Sequence, residues 1–161
     1  MQRNTPFRLG RFLVDREGRL LLGTPDATPT LHLHWRGVPV CAQLQPGAAP
    51  GADGRLALSA IIGRVPSTAS HAGVTMRSTA LAQLHDLAAA MGDGWRLALL
   101  PDHRASIAAA RDLKLPASAA ALLAEITCFL LGLAPYLDLL GESGAGIEPA
   151  GSPMMAGTAN T

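Results

Sequence analysis

The sequence predicts an α+β fold, in which an antiparallel meander of about seven strands carries two helices in the order five strands, helix, two strands, helix. In the first half of the chain, apolar and polar residues alternate, which is the period of a strand. Turn residues interrupt that alternation every few positions. After Met76 the apolar residues of two further segments recur every three or four positions, which is the period of a helix.

Two hairpins are predicted at the start of the chain. The first turns at Arg16-Glu17-Gly18, where Gly18 can adopt the positive φ that short connections need. The second turns at Arg36-Gly37. Their four strands are residues 11–15, 19–23, 30–35 and 38–45.

The second hairpin indicates which face of the sheet is buried. Its first strand alternates apolar residues with His32 and His34. Because successive side chains of a strand point to opposite faces, the two histidines share one face and the apolar residues the other. The predicted core row comprises Leu31, Leu33, Trp35, Val38, Val40, Ala42 and Leu44.

The middle of the chain continues the strands and adds a helix. A Pro- and Gly-rich loop at 46–54 precedes a fifth strand, residues 56–63. Apolar residues at helical spacing then predict an amphipathic helix from Met76 to Met91, with Gly92 as its stop. A third hairpin follows, with strands 95–99 and 105–109 around the turn Pro101-Asp102-His103.

The last predicted element is a helix over residues 119–140, capped by Ser118. It is apolar nearly all round. Since Glu125 interrupts it, the uncharged run is too short for a membrane span of about 20 residues, and we interpret it as a helix buried on two sides. One side carries Leu122, Ile126, Phe129, Leu130, Leu133 and Leu137, which leaves Leu123, Leu131 and Leu139 to be covered elsewhere. Residues 142–161, rich in Gly, Ala, Ser and Pro, predict a flexible tail to a single domain of residues 1–141.

Composition narrows the classes of function. The chain has 161 residues, of which 48% are hydrophobic and 16% charged, so it is not an intrinsically disordered protein. A net charge of +1 gives the molecule no strong field for nucleic acid or anionic membranes. Cys41 and Cys128 lack metal or redox spacing, so both are predicted to be buried thiols. Residues 1–10 lack the apolar stretch of a signal peptide, so we expect a cytoplasmic protein.

No residue pattern predicts a catalytic site or a cofactor. His32 and His34 could offer two nitrogen ligands to a metal, but no third ligand is placed by spacing. Ser67, Ser70, His71 and Asp86 lack the nucleophile elbow of a hydrolase. Gly92-Asp93-Gly94 follows a helix rather than a strand, so it is not a dinucleotide motif. The alternative of a nucleic-acid binder rests on an arginine cluster, Arg3, Arg8, Arg11, Arg16 and Arg19.

The order of elements resembles that of the type III secretion chaperones and the similar YbjN-like proteins. The resemblance is carried by GRLALSAIIGRVPSTA (54–69), ALAQLHDLAAAMG, WRLALLPDHRASIAAARDLKLP (95–116) and ASAAALLAEITCFLLGLAPYLDLL. It implies a bacterial, cytoplasmic homodimer without enzyme activity or cofactor that holds a segment of a client protein. A YbjN-like regulatory or scaffold protein without a secretion client is one alternative. A metal-binding protein or small enzyme using His32 and His34 is the other.

The predicted binding surface consists of apolar residues from the second hairpin and the last helix. A client strand would add to an exposed strand edge, and apolar pockets between sheet and helix would take its side chains. We expect contacts with the client or with a second copy at Trp35, Val38, Val40, Leu123, Leu131 and Leu139. Neither nucleic acid nor a membrane is expected as a partner.

Overall fold

The computed structural model describes residues 6–21, 28–45, 47, 53–68 and 71–142. Within them the chain forms eight antiparallel strands in two sheets and two helices, so the predicted α+β class is confirmed. The first group of elements is β1 (Phe7–Leu9), β2 (Phe12–Val14), β3 (Leu20–Leu21), β4 (Thr30–Trp35), β5 (Val38–Gln45) and β6 (Gly54–Arg64). The second is α1 (His71–Ala90), β7 (Trp95–Leu99), β8 (Arg104–Leu113) and α2 (Ala119–Glu142).

The larger sheet has five strands in the order β4-β5-β6-β8-β7. All three predicted hairpins form, and their turns contain the residues named from the sequence. Gly18 has a φ of 79°, and Arg36 and Gly37 have φ values of 51° and 78°. Positive φ at both central residues matches a two-residue hairpin connection to the twist of its strands. The predicted meander did not include the pairing of β8 with β6. This pairing places β8, the last of the described strands, between β6 and β7.

A second sheet of three short strands, β1-β2-β3, replaces the single meander that we predicted. β1 is an extra strand before the first predicted one, and it pairs Phe7 with Val14 through a turn at Gly10. β1 was not predicted, because alternation over three residues is too short to identify a strand, whereas β2 and β3 lie within the longer predicted segments 11–15 and 19–23. The small sheet is held to its surroundings by backbone bonds: the Arg11 N–H donates to the Thr30 carbonyl, and the Leu20 N–H to the Ala117 carbonyl.

The bounds of both helices differ from prediction only by a few residues at their ends. α1 begins at His71, before the predicted Met76, because its first turns expose Val74 and Met76 and so carry no apolar period. The Ser118 hydroxyl accepts a hydrogen bond from the Ala121 N–H at 3.1 Å, which confirms the predicted cap of α2. α2 continues through Glu142, a residue that we assigned to the tail. The rest of that tail, 143–161, lies outside the described residues.

The core lies between one face of the larger sheet and the two helices. α2 places Leu122, Ile126, Phe129 and Leu133 in it, all from the side that the sequence predicts as buried. Phe129 is completely buried and stacks on Trp95 of β7, with 5.1 Å between ring centroids. The sheet contributes the predicted row from Val38 to Leu44 together with Leu56, Leu58, Ala60 and Ile107. Burial of this apolar surface is the main term that stabilises the fold.

Candidate functional site

His32 and His34 gain no third metal ligand within the described part of the chain. His32 and His34 are both exposed on β4, on the sheet face opposite the helices. Among the residues that the structure describes, no group of three His, Cys, Asp or Glu side chains could hold a metal ion. Asp86 and Ser67 are exposed, Ser70 lies outside the described residues, and the His71 side chain is likewise not described.

β4 is an edge strand of the larger sheet and offers unpaired backbone groups. The Leu44 N–H donates to the Pro29 carbonyl at 3.0 Å, which sets the phase of the ladder. Because hydrogen-bonded pairs alternate along an antiparallel ladder, Leu31 and Leu33 bond to β5, whereas the N–H and C=O groups of His32 and His34 point away from it. The Arg11 N–H donates a hydrogen bond to the outward-pointing Thr30 carbonyl at 2.9 Å. Beyond that point, no strand within the described part of the chain pairs with the β4 edge.

The side of β4 that faces the helices is only partly covered. Leu31, Leu33 and Trp35 are half-buried and pack against the core cluster, whereas the facing residues of β5 are buried. A strand added to this edge would extend the apolar row by one further strand. An open edge next to an incompletely covered apolar row is typical of sheets that bind a peptide by strand addition.

An apolar crevice, which we call the α2 crevice, lies at the hairpin end of β4 and β5. It has a volume of about 530 Å³, and its apolar wall consists of Val38, Ile62, Leu137 and Leu140. The crevice therefore separates the end of the sheet from the last turns of α2. Its volume is large enough for at least one large apolar side chain. Burying such a side chain there would be favourable, because apolar surface removed from water contributes about 25 cal/mol per Å².

A charged rim closes one side of the α2 crevice. The Arg36 guanidinium donates to the Asp138 carboxylate at 2.8 Å, linking the β4–β5 turn to α2. Both side chains are about half exposed, so this ion pair contributes at most about 1 kcal/mol to stability. Arg36 also lies over the Trp35 ring, 5.5 Å from its centroid. The rim therefore opens at little energetic cost.

A smaller crevice of about 170 Å³ lies between the helices, and its walls include Leu87 of α1 and Leu139 of α2. Leu140 lines this crevice as well as the α2 crevice. The two crevices therefore lie next to each other at the C-terminal end of α2. An extended segment leaving the β4 edge would find apolar surface on both sides of Leu140.

The structure divides the predicted binding residues into three groups. Trp35 and Val38 lie at the β4 edge and in the wall of the α2 crevice. Val40 is only 1% exposed, so it belongs to the core and cannot touch a partner of the folded chain. Leu123, Leu131 and Leu139 are 44%, 66% and 45% exposed on α2. Val40 was included because alternation identifies the core face of a strand without showing what already covers it.

The sequence did not indicate the rest of the α2 crevice. Ile62, Asp138 and Leu140 lay within predicted elements but were not assigned to a site. Packing of α2 across the sheet brings Asp138 to Arg36 over a separation of 102 positions. The only available signal was the acidic Asp138 near the end of an otherwise apolar helix.

Helix α2 presents an apolar outer face to solvent. By length and composition alone it could cross a membrane. Only 22% of its apolar window is buried within the described residues, so the prediction that it is buried on two sides is wrong for the described chain. Leu131, the most exposed large apolar residue of the described chain, lies at the centre of this outer face. We call the surface around Leu123, Leu131 and Leu139 the α2 outer face.

The cysteines occupy different environments, and the prediction that both are buried is wrong for Cys128. Cys128 is exposed, because it precedes the core residue Phe129 on the helix and so points away from the sheet. Cys41 is half-buried on β5, and burial raises the pKa of its thiol above the usual value.

The two thiols should therefore differ in reactivity. For protein diluted to the monomer, we expect iodoacetamide to modify Cys128 first at neutral pH, and Cys41 more slowly, with a rate that rises with pH as the thiolate forms. Mass spectrometry of the wild type and of the Cys41→Ser and Cys128→Ser variants measures each rate. Faster labelling of Cys41 than of Cys128 would contradict the burial described above.

Comparison of the chain with models of protein families, with curated proteins and with solved structures found no match. What the geometry defines is a class: an α+β protein with helices on one sheet face and an open strand edge beside an apolar crevice.

Proposed function

We propose that this chain is a non-catalytic protein-binding module that holds an extended segment of another protein, in the manner of a cytoplasmic secretion chaperone. The observation that carries the proposal is the open edge of β4, where the backbone groups of His32 and His34 point outward beside a half-buried apolar row. Strand addition gives affinity through main-chain hydrogen bonds, and side-chain pockets give specificity.

The client segment would bind antiparallel or parallel to β4 with alternate side chains on the helix side of the sheet. Those side chains lie next to Leu33 and Trp35, and one of them enters the α2 crevice at Val38. The client's other side chains face solvent beside the exposed histidines, so this row tolerates polar residues. We therefore infer a preference for segments in which large apolar residues alternate with polar ones.

A proline scan of the two sheet edges tests this binding mode. Edge strands accept proline where the N–H points outward, so His34→Pro should remove one client hydrogen bond while leaving the sheet paired. We expect a fluorescein-labelled peptide, selected on the protein from a random displayed library, to bind His34→Pro about tenfold or more weakly, because the lost bond leaves an unpaired client carbonyl. Fluorescence anisotropy measures the dissociation constant, and circular dichroism checks the fold.

Leu99→Pro is the matched control. At the opposite edge of the sheet, the Leu100 N–H of β7 bonds to the Arg104 carbonyl of β8. Because hydrogen-bonded residues alternate along the strand, the Leu99 N–H points away from β8. This variant should bind the peptide as the wild type does. If Leu99→Pro abolishes binding and His34→Pro does not, the client site lies at β7; if neither matters, strand addition is wrong.

We also propose that the chain associates with a second copy through the α2 outer face. Leu131, the most exposed of the three large aliphatic residues there, lies opposite the buried side of the helix, and Leu123 and Leu139 flank it. A two-fold helix pair would cover Leu131 on both copies at once.

A further inference from the structure

The larger sheet has a second face, opposite the helices, which we call the open face and define by Cys41, Ser59 and Ala108. These side chains lie at the centre of the sheet and are partly exposed. In a sheet covered on both faces, side chains at these positions would be buried. The register places Ser59 beside Cys41 on one side and beside Ala108 on the other. The middle of this face therefore consists of small side chains from three adjacent strands.

Small side chains leave a hollow on the open face with a volume of about 410 Å³. Its floor is formed mainly by Ala57, Ser59, Ala108 and Ala110, which form cross-strand pairs between β6 and β8. Backbone groups of β6 are used on both sides, by β5 and by β8. A ligand in the hollow must therefore be recognised through side chains, unlike a strand added to an edge.

Two arginines border the hollow. Arg55 of β6 and Arg96 of β7 are both exposed and line it. Within the described residues, neither guanidinium forms a hydrogen bond or an ion pair, and no carboxylate lines the hollow. Asp112 is the register partner of Arg55, yet the two side chains are not within ion-pair distance. The open face thus has small side chains at its centre, and its border carries the two arginines together with Gln43 and Gln45.

We propose that the open face docks an acidic amphipathic helix of a partner protein. A helix presents large apolar side chains that can fill the hollow, and carboxylates on its flanks can reach Arg55 and Arg96. An extended peptide is disfavoured, because the backbone groups of the central strands are already paired. Nucleic acid is disfavoured because no aromatic residue lines the hollow, so bases have no stacking surface. This site goes beyond the proposed client site on the β4 edge and does not depend on it.

The probe is a fluorescein-labelled helical peptide of about 18 residues, or five turns, with Leu on one side and Glu along both borders of that side. A peptide with Lys in place of every Glu is its control. We expect micromolar binding of the acidic peptide, weakened about tenfold or more in the double variant Arg55→Glu with Arg96→Glu, because like charges replace attractive ones. Arg8→Glu, an exposed arginine of β1, makes one such charge reversal elsewhere and should have little effect.

A second variant tests the hollow without altering charge. Ala108→Tyr places a large ring in the hollow and should weaken binding of the acidic peptide to a similar extent. The circular dichroism spectrum should stay unchanged, and the library-selected peptide of the β4 edge should still bind. Four results would overturn the proposal: no binding of the acidic peptide at millimolar concentration, equal binding of the Lys peptide, equal loss in Arg8→Glu, or unchanged binding to Ala108→Tyr. Tighter, arginine-dependent binding of a single-stranded oligonucleotide of roughly 20 nucleotides would instead make this face a nucleic-acid surface.

Discussion

The Phe129→Ala variant is expected to lose about 3–5 kcal/mol of unfolding free energy, as is usual when a fully buried aromatic side chain is removed from a core. Phe129 has no exposed surface and stacks on Trp95, which in turn contacts the Tyr136 ring at 5.4 Å between centroids. Truncation therefore leaves a cavity between α2 and β7 and removes an aromatic pair. Since small domains are stable by only about 5–15 kcal/mol, this is a large part of the total.

Phe7→Ala is the matched control, because it is the same chemical change at a residue that is 48% exposed. We expect it to cost less than about 1 kcal/mol. Urea titration followed by near-ultraviolet circular dichroism measures both variants, and the near-ultraviolet signal also reports the packing of Trp95. Similar losses in the two variants would mean that α2 is not packed on β7 through this aromatic cluster.

The second large effect concerns self-association. We expect the wild type to be a dimer at micromolar concentration, and the double variant Leu131→Asp with Leu139→Asp to be a monomer. Burying a leucine in such an interface contributes about 2–4 kcal/mol, so two buried aspartates should weaken the dimer at least about a hundredfold. Light scattering across a dilution series measures the mass, and slower alkylation of Cys128 in the dimer than in the variant reports coverage of the same face.

Leu99→Asp is the control for this prediction, since Leu99 is 42% exposed on β7 and lies on another surface. It should leave the dimer intact. If Leu99→Asp dissociates the dimer and the α2 variant does not, the copies meet at β7. A wild-type monomer that binds no hydrophobic dye would show that the α2 outer face needs no partner, and the self-association proposal would then be abandoned.

Parts of the candidate site could be predicted from the sequence. The alternation around His32 and His34 placed both on the outer side of a strand, and the apolar excess of the last helix indicated an uncovered side containing Leu131. The burial of Val40 was predicted from alternation, but the crevice wall at Ile62 could not be, because it depends on which residue of a distant element lies above it.

Local pattern determined the elements of this protein: three hairpins at their observed turns, two helices, and a serine cap at the start of α2. These features depend on residues within one or two turns of each other, and short-range sterics and hydrogen bonding suffice to specify them.

Tertiary structure alone decided the order of the strands, the separate small sheet and the open edge at β4. Gly132 illustrates the reason. As a residue it weakens a helix by about 1 kcal/mol relative to alanine, yet a Cβ there would lie 2.7 Å from the Trp95 ring. The glycine lets α2 approach β7, and no pattern within either segment records that contact. Strand pairing and helix placement are set by such long-range packing, whose free energy depends on surfaces that meet only in the folded chain.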